Sequence, residues 1–257
     1  LRLAAAGAFL VWLLLAGVSV DRPGLLALGV LVVTMVVALR IPSVSANLLA
    51  QLRAPSSRTF VLGCAAAAAL ASYLLASGPM RSRPMSIDAA VYLFQARALS
   101  HGHFGAVLPE PRNLFGARFL FEGADGRLHG VFPPGFPLFL VPFVWIGLPM
   151  LAGPVIAAML AAAQWLLGRA LEGEDGPSTR LAMVMSIPSF ARAVETADLL
   201  SHAWVAVLGT TAVALALLCR ERVSLPRLLG LGAALGWLTA ARFLDGLVFG
   251  TAVLALL

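Results

Sequence analysis

Asp88 lies in the first turn of a helix predicted within the longest polar segment of the chain, 78–131. Ser86 is a favourable N-cap and Gly102 a favourable stop, which predicts a helix of about four turns. The helix dipole favours an ionised carboxylate in the first turn. Loops held by a rigid scaffold commonly carry chemistry, but acidic residues also occupy first turns for helix stability alone, and both interpretations stay open.

Arg242 is a second candidate because it interrupts an apolar run. An ionisable residue in such a run is a functional suspect by default. The alternative is a local ion pair with Asp245, three residues farther along.

A third group consists of Glu195, Asp198 and His202, whose spacing could place them on one helical face. Carboxylates and imidazoles ligate cations, so the group could bind a divalent cation, and the alternative is a hydrated helix entry. The pair His101 and His103 is a weaker metal motif. No other cofactor is predicted.

The composition indicates the scaffold that must position these groups. The 257 residues are 60% hydrophobic and 12% charged, with a mean hydropathy of +0.94. Soluble domains carry about 25% charged residues. Half of that share is too little to cover the surface of a water-soluble protein of this size. The sequence therefore excludes a cytosolic enzyme and a disulfide scaffold and indicates an integral membrane protein. The 18 basic residues, all arginine, lie between apolar runs rather than in one stripe, which argues against a nucleic-acid partner.

Apolar runs, compared with the roughly 20 residues that a membrane crossing needs, predict an all-α, polytopic transmembrane helical bundle. The runs are 3–20, 24–40, 59–77, 132–150, 151–171, 181–191, 199–219, 225–241 and 243–257. The expected domains are an N-terminal transmembrane hairpin, 1–40, a cytoplasmic loop, 41–58, and a main module, 59–257, with the outer loop 78–131. The chain starts without Met and stops inside an apolar run, so we expect a fragment lacking its carboxyl-terminal part.

Arginine-rich loops predict the orientation. Loops 40–58 and 220–227 are rich in arginine and poor in acids, which is typical of cytoplasmic loops. An even number of crossings must then separate them, although five apolar runs lie between. We expect 181–191 to be the run that fails to cross, with 132–150 the second choice. Either choice puts 192–198 and 242–245 on the outer face with 78–131.

Within the outer loop, apolar residues at 87, 91, 94 and 98 form one helical face, which predicts an interfacial helix. The loop ends in Phe132-Pro133-Pro134-Gly135, a rigid and non-helical entry into the membrane. Such backbone is tolerated at membrane depth where it is buried in protein or faces a watery cavity. A structural break and a cavity wall are both open interpretations.

Four stretches resemble the membrane-embedded glycosyltransferases of family 39, which include protein O-mannosyltransferases and aminoarabinose transferases acting on lipid A. They are Asp88 after the run 59–77, Phe132-Pro133-Pro134-Gly135, Ser201-His202 after an outer segment, and Arg242-Phe243-Leu244-Asp245 after a Gly-rich helix. The likeness covers roughly 59–250. Ala89 stands where many relatives have a second acid, and the 3–40 hairpin precedes the family's first helix.

The resemblance implies the GT-C architecture and inverting transfer of a sugar from a polyprenyl-phosphate carrier to a hydroxyl of a lipid, glycan or protein. It implies Asp88 as the base, and one carboxylate suffices because phosphate leaves as a stable anion. Arginine forks suit phosphate, which makes Arg242 the expected donor-phosphate ligand; Arg81 and Arg83 either assist it or only snorkel at the interface. The expected cavity-lining residues are Tyr92, Pro133, Pro134, Ser201, His202 and Asp245.

The implied location is a bacterial inner membrane, with the active site on the periplasmic face. Two other functions fit the sequence. A transporter or lipid flippase would use a broken run such as 181–191 to build a site at the membrane midplane. A non-catalytic scaffold would tolerate loss of the Asp88 carboxylate.

Overall fold

The computed structural model describes residues 50, 54–107, 118–173, 176–187 and 189–257. Pro55–Leu257 form one compact unit. The expected hairpin 1–40 and most of the expected loop 41–58 lie outside the described residues. The described part is mostly helical, in agreement with the predicted class.

Most of the long helices follow the apolar runs, whereas the strands lie in the polar segment 78–131. In chain order the elements are α1 (Ser57–Ser77), α2 (Ile87–Ser100), β1 (Gly105–Val107), β2 (Leu120–Glu122), β3 (Arg127–Gly130), α3 (Gly135–Trp145), α4 (Ala152–Glu172), α5 (Pro177–Ser186), α6 (Phe190–Ala197), α7 (Ser201–Glu221), α8 (Leu225–Ala241) and α9 (Phe243–Leu256).

Three helices of the described residues are long and apolar enough to cross a membrane: α1, α4 with the 3-10 turn before it, and α7. Shorter apolar helices, α3, α8 and α9, accompany them. The runs 59–77, 151–171, 199–219, 225–241 and 243–257 each became one of these helices. The structure therefore agrees with a membrane protein at the level of helix length and composition.

The run 181–191 is not among the described helices of membrane-spanning length, in agreement with the expectation that it fails to cross. It falls on α5 and α6, and neither helix is long enough to span alone. Together they nevertheless run the length of the bundle. At one end Arg180 Nη1 donates to the carbonyl of Pro55, just before α1 (2.8 Å). At the other end Asp198 accepts from the backbone N–H of Ser86, beyond the end of α1 (3.1 Å).

The run 132–150, the second choice, also begins with a helix too short to span. Its helix α3 has 11 residues, roughly 16 Å at about 1.5 Å per residue, whereas a membrane core is about 30 Å thick. Trp145 Nε1 at its C-terminal end donates to the Ser100 carbonyl, at the end of α2 (3.1 Å). α3 thus stays at the end of the bundle that carries 78–131, which we call the loop end.

The outer loop contains a small antiparallel sheet, β1-β3-β2, that the all-α prediction missed. Strands of three or four residues have too few positions for an alternating hydrophobic pattern to be recognised. β3 is the central strand and packs against α2. The sheet therefore covers one side of the helix that carries Asp88.

The helix predicted between Ser86 and Gly102 is confirmed. Ser86 Oγ accepts from the N–H of Ala89 (3.2 Å), and the chain leaves the helix before Gly102, whose φ of +77° favours glycine. The predicted apolar face is only partly right, because Ile87 is 53% exposed. α2 is instead buried on several sides, between α3 and the sheet, rather than lying on a surface by one apolar face.

Candidate functional site

A hydrogen bond between Tyr92 and Ser201 lies at the centre of the loop end. The phenol and hydroxyl oxygens are 2.9 Å apart, and both side chains are buried. The rings of Phe132 and Phe136 pack on Tyr92 with centroids 4.5 and 5.0 Å away. The bond joins α2 to the start of α7, and we call this region the Tyr92 site.

Two charged groups act on Tyr92. Burial raises the pKa of the Tyr92 phenol, while the hydrogen bond from Ser201 and the charge of Arg242 lower it and the charge of Asp88 raises it. Asp88 is half-buried one helical turn before Tyr92. The carboxylate and the guanidinium are therefore both close enough to the phenol for their charges to influence it. Ala89 and Ala241, the chain neighbours of Asp88 and Arg242, pack in the same buried cluster as Tyr92, so three separate segments bring the predicted residues into one region.

Arg242 lies in the junction between α8 and α9, where it forms the local ion pair that the sequence left open. Its Nε is 2.8 Å from Oδ2 of Asp245, and both side chains are about one-third exposed. The pair uses Nε only. Within the described part of the chain, the terminal amino groups of Arg242 make no hydrogen bond to protein. They remain as cationic hydrogen-bond donors at the junction between α8 and α9.

The expected cation group does not share one helical face. Glu195 belongs to α6, Asp198 caps its C-terminus, and His202 begins α7, with Leu199 in the left-handed region (φ +56°) between them. Asp198 is buried and accepts hydrogen bonds from the N–H groups of Met85 and Ser86. No group of three metal-ligating side chains occurs among the described residues. The premise of one continuous helix was wrong, because the chain turns at Leu199.

The remaining expected site residues lie nearer the surface. Arg81 and Arg83 are exposed in the turn after α1, where Arg81 has a φ of +51°. His202 is exposed at the start of α7. His101 Nδ1 lies 2.9 Å from the carbonyl of Arg97. Among the described residues, no hydrogen bond or ring contact joins any of these side chains to Tyr92.

The Pro-Pro-Gly stretch forms the start of α3. Pro133 and Pro134 are exposed, and Gly135 is pressed against the backbone of α8. A Cβ at Gly135 would lie 2.4 Å from Ala240 C and from Ala241 N. This glycine brings α3 against the end of α8 that leads into Arg242. A structural break with a packing role is therefore the interpretation that the contacts favour.

Two polar residues, the buried Gln95 and the half-buried Arg192, were missed by the sequence reasoning. Gln95 is 7% exposed, and its Nε2 donates to the Phe132 carbonyl (2.8 Å), tying α2 to the segment before α3. Arg192, beside the break between α5 and α6, donates to Gln164 Oε1 (3.0 Å) and Ser186 Oγ (2.7 Å). A polar residue within an apolar helical stretch was the available signal for Gln95.

A shallow, open groove of about 250 Å³ runs along α9 from the Arg242 junction. Its lining is mainly apolar and includes Phe243, Gly246, Leu247 and Gly250. Its lining includes residues on both sides of Arg242 in the sequence, Thr239 and Phe243.

Comparison of the chain with protein-family models, curated proteins and solved structures found no match.

Proposed function

We propose that this chain is a membrane glycosyltransferase with a GT-C-like helical bundle. In the proposed reaction, a sugar moves from a polyprenyl-phosphate carrier to an acceptor hydroxyl with inversion. The observation that carries the proposal is a single buried cluster in an apolar helical bundle that holds Tyr92 together with Ala89 and Ala241, the chain neighbours of Asp88 and Arg242. The likeness to family 39 rests on the motifs quoted above.

Asp88 acts as the base in this proposal. The half-buried carboxylate takes the proton of the acceptor hydroxyl as the oxygen attacks the anomeric carbon. The bond from that carbon to the carrier phosphate breaks on the opposite face, and its electron pair leaves with the phosphate. A single positioned carboxylate is sufficient because the leaving phosphate needs charge compensation rather than a proton.

Arg242 provides that compensation. Asp245 engages Nε and so restrains the guanidinium, while the terminal amino groups remain for two parallel bonds to phosphate oxygens. The adjacent apolar groove on α9 is suited to an isoprenoid chain. Arg81 and Arg83, in the exposed turn after α1, are placed by the proposal at the headgroup level of the same membrane face.

The proposed partners are the polyprenyl-phosphate sugar donor, a lipid, glycan or protein acceptor, and membrane lipid. The proposed location is a bacterial inner membrane with the loop end facing the periplasm. The arginine bias of loops 40–58 and 220–227 supports that orientation. The order of α1, α4, the α5–α6 pair and α7 along the bundle also supports it, because these elements make an even number of passes between those loops.

Sugar transfer in membrane vesicles tests the proposal. Vesicles carrying the full-length protein receive radiolabelled polyprenyl-phosphate hexoses or pentoses, and release or transfer of sugar is measured. We expect Asp88→Asn to lose at least about a hundredfold in turnover, the usual scale for removing a base. Asp125→Asn, the same change in an exposed turn of the outer loop, is the matched control and should keep full turnover. Equal turnover by wild type and Asp88→Asn would remove the proposed base.

A transporter or lipid flippase is the second candidate, and Arg192 favours it. In the described part of the chain no carboxylate pairs with this guanidinium, and its Nε is buried without a hydrogen-bond partner. Charged groups beside helix breaks commonly build substrate sites in transporters. The two functions differ in whether carrier lipid is consumed or only moved. A transporter should lose movement in Arg192→Met and keep it in Asp88→Asn.

A further inference from the structure

We infer that the turn 198–201, between α6 and α7, positions α2 by two hydrogen-bonded anchor points and thereby places Asp88. The inference rests on the proposed function, in which Asp88 is the base. Asp198 and Ser201 are the positioning residues. Neither needs to touch the substrate.

The first anchor point is the Asp198 carboxylate at the start of α2. It is 4% exposed and accepts from the N–H groups of Met85 and Ser86, residues 113 and 112 positions away. The first N–H groups of a helix and those just before it have no partner within the helix. A carboxylate forms strong, charge-assisted hydrogen bonds with such donors. Asp198 therefore fixes the point from which α2 begins.

The second anchor point is Ser201, which contacts α2 at Tyr92, one helical turn after Asp88. Its hydroxyl meets the Tyr92 phenol at 2.9 Å in a buried contact. Asp88 lies between the two points, two residues after Ser86 and four before Tyr92. Since a helix is stiff over one turn, holding both points fixes the carboxylate relative to α7. α8 ends just before Arg242 and packs on α7. The turn therefore also influences the distance between the Asp88 carboxylate and the Arg242 guanidinium.

The turn is itself held firmly. Leu199 is fully buried with a φ of +56°, a conformation that L side chains rarely adopt and that persists where the surroundings impose it. Ala197 packs with Ala76 and Met80 at the end of α1. On α4, Gly153 lies so close to the carbonyl of Thr196 that no Cβ fits. α1 and α4 therefore brace the residues just before the turn, so its position can be passed on to α2.

Hydrogen–deuterium exchange tests the anchoring without any substrate. Asp198→Ala should speed exchange of the amides of residues 85–92 at least about tenfold, the effect of losing a hydrogen bond to a charged group. The amides of α4 should not change. Asp198→Asn keeps one acceptor oxygen, should give an intermediate effect, and serves if Asp198→Ala does not fold. Glu195→Gln changes a nearby carboxylate on α6, and Ser72→Ala changes a buried hydroxyl without a described partner; both are controls. Unchanged exchange in both Asp198 variants would overturn the inference.

Kinetics test the positioning of Asp88, with the donor panel described above. Asp198→Ala and Ser201→Ala should lower kcat by about tenfold to a hundredfold, the effect of misplacing a reacting group by about 1 Å, with little change in KM. In the Asp88→Asn background the same changes should have almost no further effect, because they act through the missing carboxylate. An equal loss in both backgrounds would show a merely structural role and overturn the inference. Should no donor turn over even in wild type, the proposed function would fail, and exchange alone would decide whether 198–201 holds α2.

Discussion

Trp237 donates its indole N–H to the carbonyl of Gly135 at 2.8 Å, where α3 and α8 touch backbone to backbone. The contact explains why glycine follows Pro133 and Pro134, because a side chain at position 135 would collide with the backbone of α8. It also joins the short helix α3 to the element that leads into Arg242. The geometry of the Tyr92 site therefore depends on a contact with no chemical role of its own.

We expect Gly135→Ala to lower thermal stability, because the new Cβ would lie 2.4 Å from backbone atoms of α8. Overpacking of this kind costs about 1–3 kcal/mol. The buried free thiols of Cys64 and Cys219 provide the measurement, since a thiol-reactive dye labels them as the protein unfolds. Gly236→Ala, in α8 with open space around it, is the matched control and should hold or raise the Tm, because alanine favours helix by about 1 kcal/mol. A Gly135→Ala protein as stable as wild type would contradict the close contact.

The ionisation of Tyr92 should report on its neighbours. Tyr73 and Tyr92 are the two tyrosines of the chain, so a Tyr73→Phe background isolates Tyr92 in an ultraviolet titration. We expect a pKa above 10.0, because burial disfavours the phenolate. Asp88→Asn should lower this pKa and Arg242→Gln should raise it, since the two charges act in opposite directions. No response to either change would place both charges far from the phenol.

The raised pKa of Tyr92 also makes the stability of the fold depend on pH. The folded protein keeps the phenol proton to a higher pH than the unfolded chain does. Stability from this group is therefore complete below pH 10.0 and falls as pH rises from there through the folded pKa. Unfolding in denaturant at successive alkaline pH values measures the decline, and Tyr92→Phe should remove this contribution.

We expect the guanidinium of Arg192 not to stabilise the fold. Methionine at this position removes an unpaired cation from the apolar bundle and leaves the bond between Ser186 Oγ and Gln164 Oε1 (3.1 Å) in place. We expect Arg192→Met to keep or raise the Tm, because a partly buried cation without a described carboxylate partner is unfavourable. Arg192→Lys should lower it, since one ammonium cannot reproduce the guanidinium fork. Arg220→Met, an exposed arginine of α7, is the control. A Tm loss in Arg192→Met as large as that in Arg192→Lys would contradict the expectation.

The hairpin of the outer loop should respond to acid. His129 Nε2 lies 2.9 Å from Asp125 Oδ1, and this hydrogen bond, helped by the N–H of Arg127, holds the pKa of Asp125 below its usual 3.8. The stability that the ionised Asp125 carboxylate contributes to the folded protein is therefore present above pH 3.8 and is lost as pH falls through the folded pKa. We expect His129→Phe to return the pKa toward 3.8, as read from the carboxyl carbon shift of labelled protein. A pKa that does not move would show that His129 is not its main cause.

Local signals determined much of the helical structure. The run 225–241 coincides with α8 at both ends, and the Ser86 cap begins α2 as predicted. Such features are legible because hydropathy and capping act between residues close in sequence. The arginine-rich loops likewise indicated an even number of passes, although not which run would fail to traverse.

The sequence by itself predicted the main apolar helices, three of which are long enough to cross a membrane in the described part of the chain. Only the tertiary structure decided that α5 and α6 traverse the bundle as a pair and that α3 stays at its end. It also decided that Asp198 binds backbone N–H groups of Met85 and Ser86 rather than joining Glu195 and His202. The physical reason is that backbone donors are the same at every position and carry no sequence signal. Which donor a buried carboxylate meets 112 residues away depends on how the helices pack.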